Sequence, residues 1–289
     1  MPVPLFPKKL QQGSLLQLIL LHSLYSQRGS GQIIFQGGTA LRWIYGGQRA
    51  SEDLDFVSSL SKDEVRKTLV LALRQSDPLS VSQFGPGSFE EKPLRASTGS
   101  YRTFAIFRPD VQKERIAVRI EVEQLHSNVS LNHRKMALMD CPPVFSVMRE
   151  GVFTLPYSSS ILSVEVPEEI LTDKLRALFE RPYLKGRDLY DIWFLRQMLK
   201  AKINISHLDQ KFKSYIRPFR PARGTGFFVK KENLDLLRHT LETDLKPFLP
   251  ASTYKELENS RFAGIIQTLQ EILSSLLKEG LEEVIASNG

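Results

Sequence analysis

The chain predicts an α+β protein in two parts, and three observations carry that expectation. Short strand-like segments, an apolar run at 33–35, a strand at 101–107 and two-residue alternation at 53–57 and 115–123, are interspersed with helical patterns over 14–27 and 61–75. From Pro167 onward the alternation gives way to a helical stripe that recurs as far as Leu276. With 289 residues, each part is long enough to bury a core of its own. The change of period sets a boundary near residue 165, with a sheet-bearing domain over 1–165 and a mainly helical domain over 166–289.

Taken in order, the first helix invites one misreading. Lys8-Lys9 precede the apolar run Leu15-Leu16-Gln17-Leu18-Ile19-Leu20-Leu21-His22, which has a faint look of a signal peptide. Gln17 and His22 interrupt it and no small-residue cleavage pattern follows, so residues 14–27 are expected as a largely buried helix capped by Ser14. No run reaches the roughly 18 apolar residues of a membrane span, and no membrane partner is expected.

Ile33-Ile34-Phe35 end a strand. Gly37-Gly38 follow, and with no Cβ in the way they permit a tight turn and a close backbone approach to a ligand. Thr39 is expected to cap a short helix over 40–45, which Gly46-Gly47 stop. The chain returns through Asp53-Leu54-Asp55-Phe56-Val57, where alternation sends both carboxylates to one face and Leu54 and Phe56 to the other. Side-by-side carboxylates repel each other and call for a cation between them. A hard divalent ion with oxygen ligands, Mg²⁺ bridging to a phosphate, meets that need.

Ser61-Lys62-Asp63-Glu64 is a capping box that opens a helix to about Gln75, with Asp77-Pro78 ending it. Residues 79–100 hold Gly85-Pro86-Gly87 and Ser97-Thr98-Gly99-Ser100 and are expected as hairpins or loops. After the strand over 101–107, Pro109-Asp110 turn the chain. The strand over 115–123 then places Ile116, Val118, Ile120 and Val122 on one face and Ala117, Arg119, Glu121 and Glu123 on the other. Residues 144–166 are strand-like and turn-rich, broken at Pro156 and at Tyr157-Ser158-Ser159-Ser160.

In the second part, Glu168 and Glu169 occupy the first turn of a helix opened by Pro167, where the helix dipole favours them. Leu171, Leu175 and Leu178 form its apolar stripe, Lys174 and Arg181 lie beside that stripe, and Pro182 ends the helix. The next helix, over 187–195, starts near Asp188, a possible cap, and carries Asp191 toward the interior, where Lys174 is the obvious partner.

Three of these stretches together resemble a known family. GGTALR at 37–42 and SEDLDF at 51–56, with 13 residues between Thr39 and Asp53, resemble the glycine turn, short helix and Asp-x-Asp strand of the nucleotidyltransferase superfamily. In this longer form they look like the AbiEii/MenA-type nucleotidyltransferase toxins of bacterial abortive-infection systems. DKLRALFER followed by PYLKGRDLYDIW, within 173–193, is similar to that family's Lys, its Arg seven residues on, and its basic-Arg-Asp-x-x-Asp helix. Here Gly186 stands where the first basic residue would be, with Lys185 just before it.

The resemblance implies an α+β fold with a mixed sheet, a helical second domain, and an active site in the cleft between them. It implies that Asp53 and Asp55 hold Mg²⁺ and that Gly37, Gly38 and Thr39 present donors to the phosphates of a nucleoside triphosphate. Glu121, with Glu123 as the alternative, would complete the metal site or take the proton of the attacking hydroxyl; the plainer reading is an edge strand with a charged outer face. Lys174 and Arg181 would bind nucleotide phosphates, and Asp191 would orient Lys174 or the base. The implied acceptor is RNA, a tRNA 3′ end, and the implied partner a cognate antitoxin that restrains growth arrest.

Composition narrows the rest. The 39 Lys and Arg against 32 Asp and Glu give a net charge of +7, which suits an anionic partner. One cysteine, Cys141, excludes an intramolecular disulfide and suits a reducing cytoplasm. Five scattered histidines offer no zinc spacing. Residues 211–231 hold seven basic side chains and no acidic one, interleaved with Phe212, Tyr215, Phe219, Phe227 and Phe228. Such a stretch suits either an RNA end stacked on exposed aromatics or a basic loop with its aromatics turned inward. Phe262, Ile266, Leu269, Leu273 and Leu276 read as the core stripe of a final helix. Two rival functions stay open: a nucleotidyltransferase that modifies a protein or small molecule, and a non-catalytic descendant that only binds nucleotide or partner.

Overall fold

The structure, a computed structural model, describes residues 6–95, 97–111, 114–156 and 160–289. The chain divides into two compact units, Met1–Glu165 and Val166–Gly289.

In the first unit, the described residues form one seven-stranded sheet of order β3-β4-β5-β2-β1-β7-β6. Its strands are β1 (Ile33–Gln36), β2 (Asp53–Ser58), β3 (Gly87–Pro93), β4 (Ser100–Pro109), β5 (Ile116–Gln124), β6 (His133–Ala137) and β7 (Ile161–Glu165). The β2–β5 and β1–β7 pairs are parallel and the others antiparallel, so the sheet is mixed. Four helices accompany it: α1 (Lys8–Tyr25), α2 (Gly37–Trp43), α3 (Lys62–Phe84) and α4 (Pro142–Arg149). The chain is therefore α+β, as its periodicities predict. β5 lies inside the sheet between β4 and β2, which removes the edge-strand reading of its charged face.

Helix α1 starts six residues before Ser14, with Pro7 at its N-cap, and is buried on nearly every side from Leu16 to Tyr25. The polar interruptions of its apolar run are satisfied internally, as buried polar groups must be. Gln17 donates to the Ser51 carbonyl at 2.8 Å and accepts from the Trp43 indole at 3.3 Å. His22 pairs with the Ser160 hydroxyl at 2.8 Å, and burial holds its pKa below the ordinary histidine value. The Tyr25 hydroxyl reaches the carbonyls of Ile33 and Ser163, tying α1 to β1 and β7. Ser14, expected as a cap, is buried mid-helix and accepts from the Arg42 guanidinium at 2.7 Å.

One local expectation fails for an identifiable reason. Pro78 does not end α3, which keeps its capping box at Ser61 and runs on to Phe84. A proline forfeits one backbone hydrogen bond, but Ser76 and Ser80 are buried beyond the expected stop, and Phe84 packs its ring 5.7 Å from Phe107. Tertiary burial thus outweighs the local break. Residues 87–93, within the stretch expected as hairpins or loops, form β3, paired antiparallel with β4, with most of their side chains reaching solvent. β6 lies outside the strands that the sequence predicts, and Val144, in the strand-like stretch, lies in α4. The break expected at Tyr157-Ser158-Ser159 lies outside the described residues. Cys141 is fully buried and burial pushes its thiol up to about 11, so it is inert at neutral pH.

The second unit is helical in its described residues: α5 (Pro167–Glu180), α6 (Gly186–Trp193), α7 (Ile205–Ser214), α8 (Leu234–Leu245), α9 (Ala251–Asn259), α10 (Ala263–Lys278) and α11 (Leu281–Asn288). The stripe of α10 is buried from Ile265 to Leu276, as its spacing predicts. The basic aromatic stretch resolves in favour of the core. Phe212, Tyr215, Phe219 and Phe228 are all buried, with Phe212 stacked on Phe219 at 4.0 Å and Phe228 edge-on to Phe179 at 5.9 Å. Lys211 is buried too, held by Glu169 at 3.0 Å and Asp173 at 2.9 Å. Lys213, Arg217, Arg220, Lys230 and Lys231 remain exposed. These cations can meet phosphates, but the four buried rings cannot stack on bases.

No helix among the described residues is long and apolar enough to cross a membrane.

Candidate active site

The acidic set is assembled by register. β1 and β2 run antiparallel with Gln36 opposite Asp55, so the turn that follows β1 begins beside that carboxylate. β2 and β5 run parallel with Asp53 opposite Arg119 and Asp55 opposite Glu121. In neighbouring strands, paired residues project to the same side. Asp53, Asp55, Arg119 and Glu121 therefore share one face of the sheet centre, while Leu54, Phe56, Ile120 and Val122 are buried on the other.

The glycine turn is pinned to this face. Gly37 has φ +77°, and a Cβ built on it would lie 2.7 Å from Asp55 Oδ2 and 3.1 Å from Asp55 Cβ. Only a residue without a side chain fits both the backbone conformation and the space. A Cβ on Gly38 would lie 2.3 Å from the Arg49 guanidinium. Thr39 does not cap α2; Gln36 holds the N-cap position, and Thr39 sits inside the helix, fully buried. Its hydroxyl donates to the Asp53 carbonyl. Thr39 thus fastens the turn to β2 and does not offer an exposed hydroxyl. Gly37→Ala is expected to cost about 1–2 kcal/mol of stability from the left-handed backbone alone and to push the Asp55 carboxylate aside. Urea unfolding and a transfer assay on the same preparation should show activity falling far more than stability. Unchanged activity would argue against a working role for Asp55.

Arg119 is the residue that sequence reading passed over, although its place on the Glu121 face was visible. Its guanidinium lies 2.7 Å from Asp53 Oδ2 and 3.8 Å from Glu121 Oε2. Burial opposes its charge, and Asp53, Asp55 and Glu121 together more than restore it. Among the described residues no three His, Cys, Asp or Glu side chains are gathered to hold a metal ion; a guanidinium bridges the carboxylates instead. The donor set nevertheless suits a hard divalent cation in kind: three carboxylates, all oxygen donors, on one partly solvated face.

In the second unit, the α5 and α6 residues form a compact charge cluster. Lys174 Nζ lies 3.0 Å from Asp188 Oδ1 and 2.8 Å from Asp191 Oδ2, and Arg181 also holds Asp188. Asp188 is a full member of the cluster and not merely a helix cap. Burial works against its charge, but Lys174 and Arg181 hold its carboxyl well below the usual carboxylate range. Lys185 is close enough to act on the cluster, and its own pKa is lowered by burial and by Arg181. Lys174, Arg181 and Lys185 carry one positive charge more than Asp188 and Asp191 remove. Such a surplus in a partly buried setting suits a phosphate.

The mixed sheet, with its Gly-Gly turn locked against an Asp-x-Asp strand, is the arrangement that the resemblance to nucleotidyltransferases implies. A family model described as nucleotidyl transferase AbiEii toxin, type IV toxin–antitoxin system, matches residues 19–268, and the chain belongs to that family. It is a nucleotidyltransferase of a toxin–antitoxin class, for which a nucleotide substrate and an antitoxin partner are implied. No curated protein matches the chain. Among solved structures, JHP933 from Helicobacter pylori is similar with a TM-score of 0.57 and 17% identity, over 96% of this chain and 97% of that one. A putative nucleotidyltransferase from H. pylori is similar with a TM-score of 0.54 and 17% identity, over 93% and 98%. At that identity both likenesses concern the fold.

Proposed function

We propose that this chain transfers a nucleotidyl group from a nucleoside triphosphate to an RNA acceptor, a tRNA 3′ end, with Mg²⁺ held by Asp53, Asp55 and Glu121. The observation that carries the reading is the contact between the space at Gly37 and the Asp55 carboxylate, which joins the turn and the acidic face into one site. When bound, Mg²⁺ would neutralise charge on the phosphoryl oxygens and favour ionisation of the attacking hydroxyl. Gly37 and Gly38 leave room for Asp55 and Arg49 to pack against the turn, whose backbone amides would serve as donors to the phosphates. Thr39 keeps that turn in register with β2, and Glu121 completes the carboxylate set. Lys174 and Arg181, with Lys185, offset charge on substrate phosphates, while Asp188 and Asp191 orient the lysine. The exposed cations among residues 213–231 favour a polyanionic acceptor over a neutral small molecule.

The decisive experiment incubates the full chain with each of the four labelled triphosphates and total RNA, with Mg²⁺ or with EDTA. Label entering small RNA with one triphosphate and only with Mg²⁺ is the expected result. Label appearing in protein would support the protein-modifying alternative, and label in neither would favour a binding role without catalysis.

A further inference from the structure

We propose that Arg119 is a resident counter-ion that competes with the divalent cation for the acidic face and yields when a triphosphate arrives to take its guanidinium. The inference rests on the metal assignment above and adds to it an order of binding: cation and nucleotide favour each other because each relieves the arginine.

The geometry supplies the competition. Arg119 stands opposite Asp53 in register and lies between Asp53 and Glu121, at 2.7 and 3.8 Å. A carboxylate oxygen engaged by a guanidinium at that distance cannot also accept a divalent cation without placing two positive charges side by side. The partners are neither deeply buried nor free: the Arg119 and Asp53 side chains are 31% and 33% exposed. A pair open to solvent to that degree is weakly held, so a ligand of higher charge can break it. The pair also leaves the guanidinium under-satisfied, since Arg119 Nε is buried with no hydrogen-bond partner. Its planar fork matches the oxygens of a phosphate. Without nucleotide, the divalent ion must displace an internal cation; with a triphosphate present, the displaced cation gains a better anion. Linkage then requires each ligand to tighten the other by the same factor.

Calorimetric titration of the full chain with Mn²⁺, with and without a non-hydrolysable nucleoside triphosphate, tests this in wild type, Arg119→Gln and Arg119→Lys. Arg119→Gln is expected to bind Mn²⁺ alone at least about ten-fold more tightly, the scale of removing one like charge about 6 Å from a divalent ion even in bulk water, and to lose most of the enhancement given by the triphosphate. Arg119→Lys, which keeps the charge and drops the fork, should bind Mn²⁺ alone as weakly as wild type and recover only part of the coupling. In EDTA, Arg119→Gln should melt below wild type and regain the difference on adding Mn²⁺, because its carboxylates lack a counter-charge until the ion is added. Arg119→Gln binding Mn²⁺ no more tightly than wild type would overturn the proposal while leaving the metal site standing. If Mn²⁺ bound none of the three proteins, with or without triphosphate, the metal assignment itself would fall and the proposal with it. Should Arg119→Gln not fold, full coupling in Arg119→Lys would be enough to reject the role of the guanidinium fork.

Discussion

Asp53→Asn should lower nucleotidyl transfer by on the order of a thousand-fold or more while leaving the fold in place. The loss follows from the proposed metal role: an amide has one weak acceptor oxygen where the carboxylate has two anionic ones, and a divalent cation held there would lose charge that supplies several kcal/mol of barrier lowering. The retained fold follows from position. Asp53 opens β2 with its side chain a third exposed, and its ion pair with Arg119 is partly solvated, so its removal should cost no more than about 1 kcal/mol. The Thr39 hydroxyl bonds the backbone carbonyl of residue 53 and not its side chain, so the turn keeps its anchor. Thermal melting of the variant should fall by no more than about 2–4 °C. An Asp53→Asn protein with full transfer activity would remove the metal role from this face. One that melts far below wild type would show that Asp53 is chiefly structural.

What the sequence discloses about this site follows a physical division. The Gly-Gly turn and the Asp-x-Asp strand were legible because each needs a restricted residue type. Gly37 must lack a Cβ at φ +77°, and two alternate aspartates on one strand must share a face. Glu121 was legible as a residue on the correct face of a strand, but its neighbour Asp55 is a matter of parallel register between β2 and β5, which no local pattern encodes. Arg119 was missed for the same reason. A basic residue two positions from a glutamate reads as an ordinary solvated face until the adjacent strand brings a second and third carboxylate to it.

The errors are equally physical. Pro78 suggests a helix stop because its local cost is known, whereas the burial that outweighs it is supplied by residues distant in sequence. Thr39 has the residue type of a cap, yet its hydroxyl bonds the Asp53 carbonyl, across from the turn. In residues 211–231, charge density alone did not reveal that Lys211 is neutralised inside the second unit by Glu169 and Asp173, far back in the chain. The part of that stretch left for an anionic partner is smaller and purely electrostatic, so any RNA contact there should weaken steeply with salt.

Lys174→Met should destabilise the second unit by roughly 3–5 kcal/mol, because it takes the ammonium from buried Asp191 and leaves buried Asp188 to Arg181. The transition can be followed through Trp193 in a Trp43→Phe background, since the chain has two tryptophans and Trp43 lies in the first unit. The pH dependence has a defined sign. Asp188 is held below its unfolded value, so its contribution is present above the ordinary carboxylate pKa of about 3.9 and is lost as pH falls through the folded value. Removing Lys174 takes away the largest cause of that depression, so the acid limb of the stability profile should move to higher pH. Stability alone does not distinguish a substrate-binding lysine from a structural one, and a second substitution does. In Lys174→Met with Asp191→Asn, a charge is removed together with its partner, and much of the lost stability should return. If Lys174 serves the substrate phosphates, transfer stays low in this repaired protein. If transfer returns along with stability, Lys174 is a structural ion-pair partner and the phosphate charge must come from Arg181 and Lys185 alone.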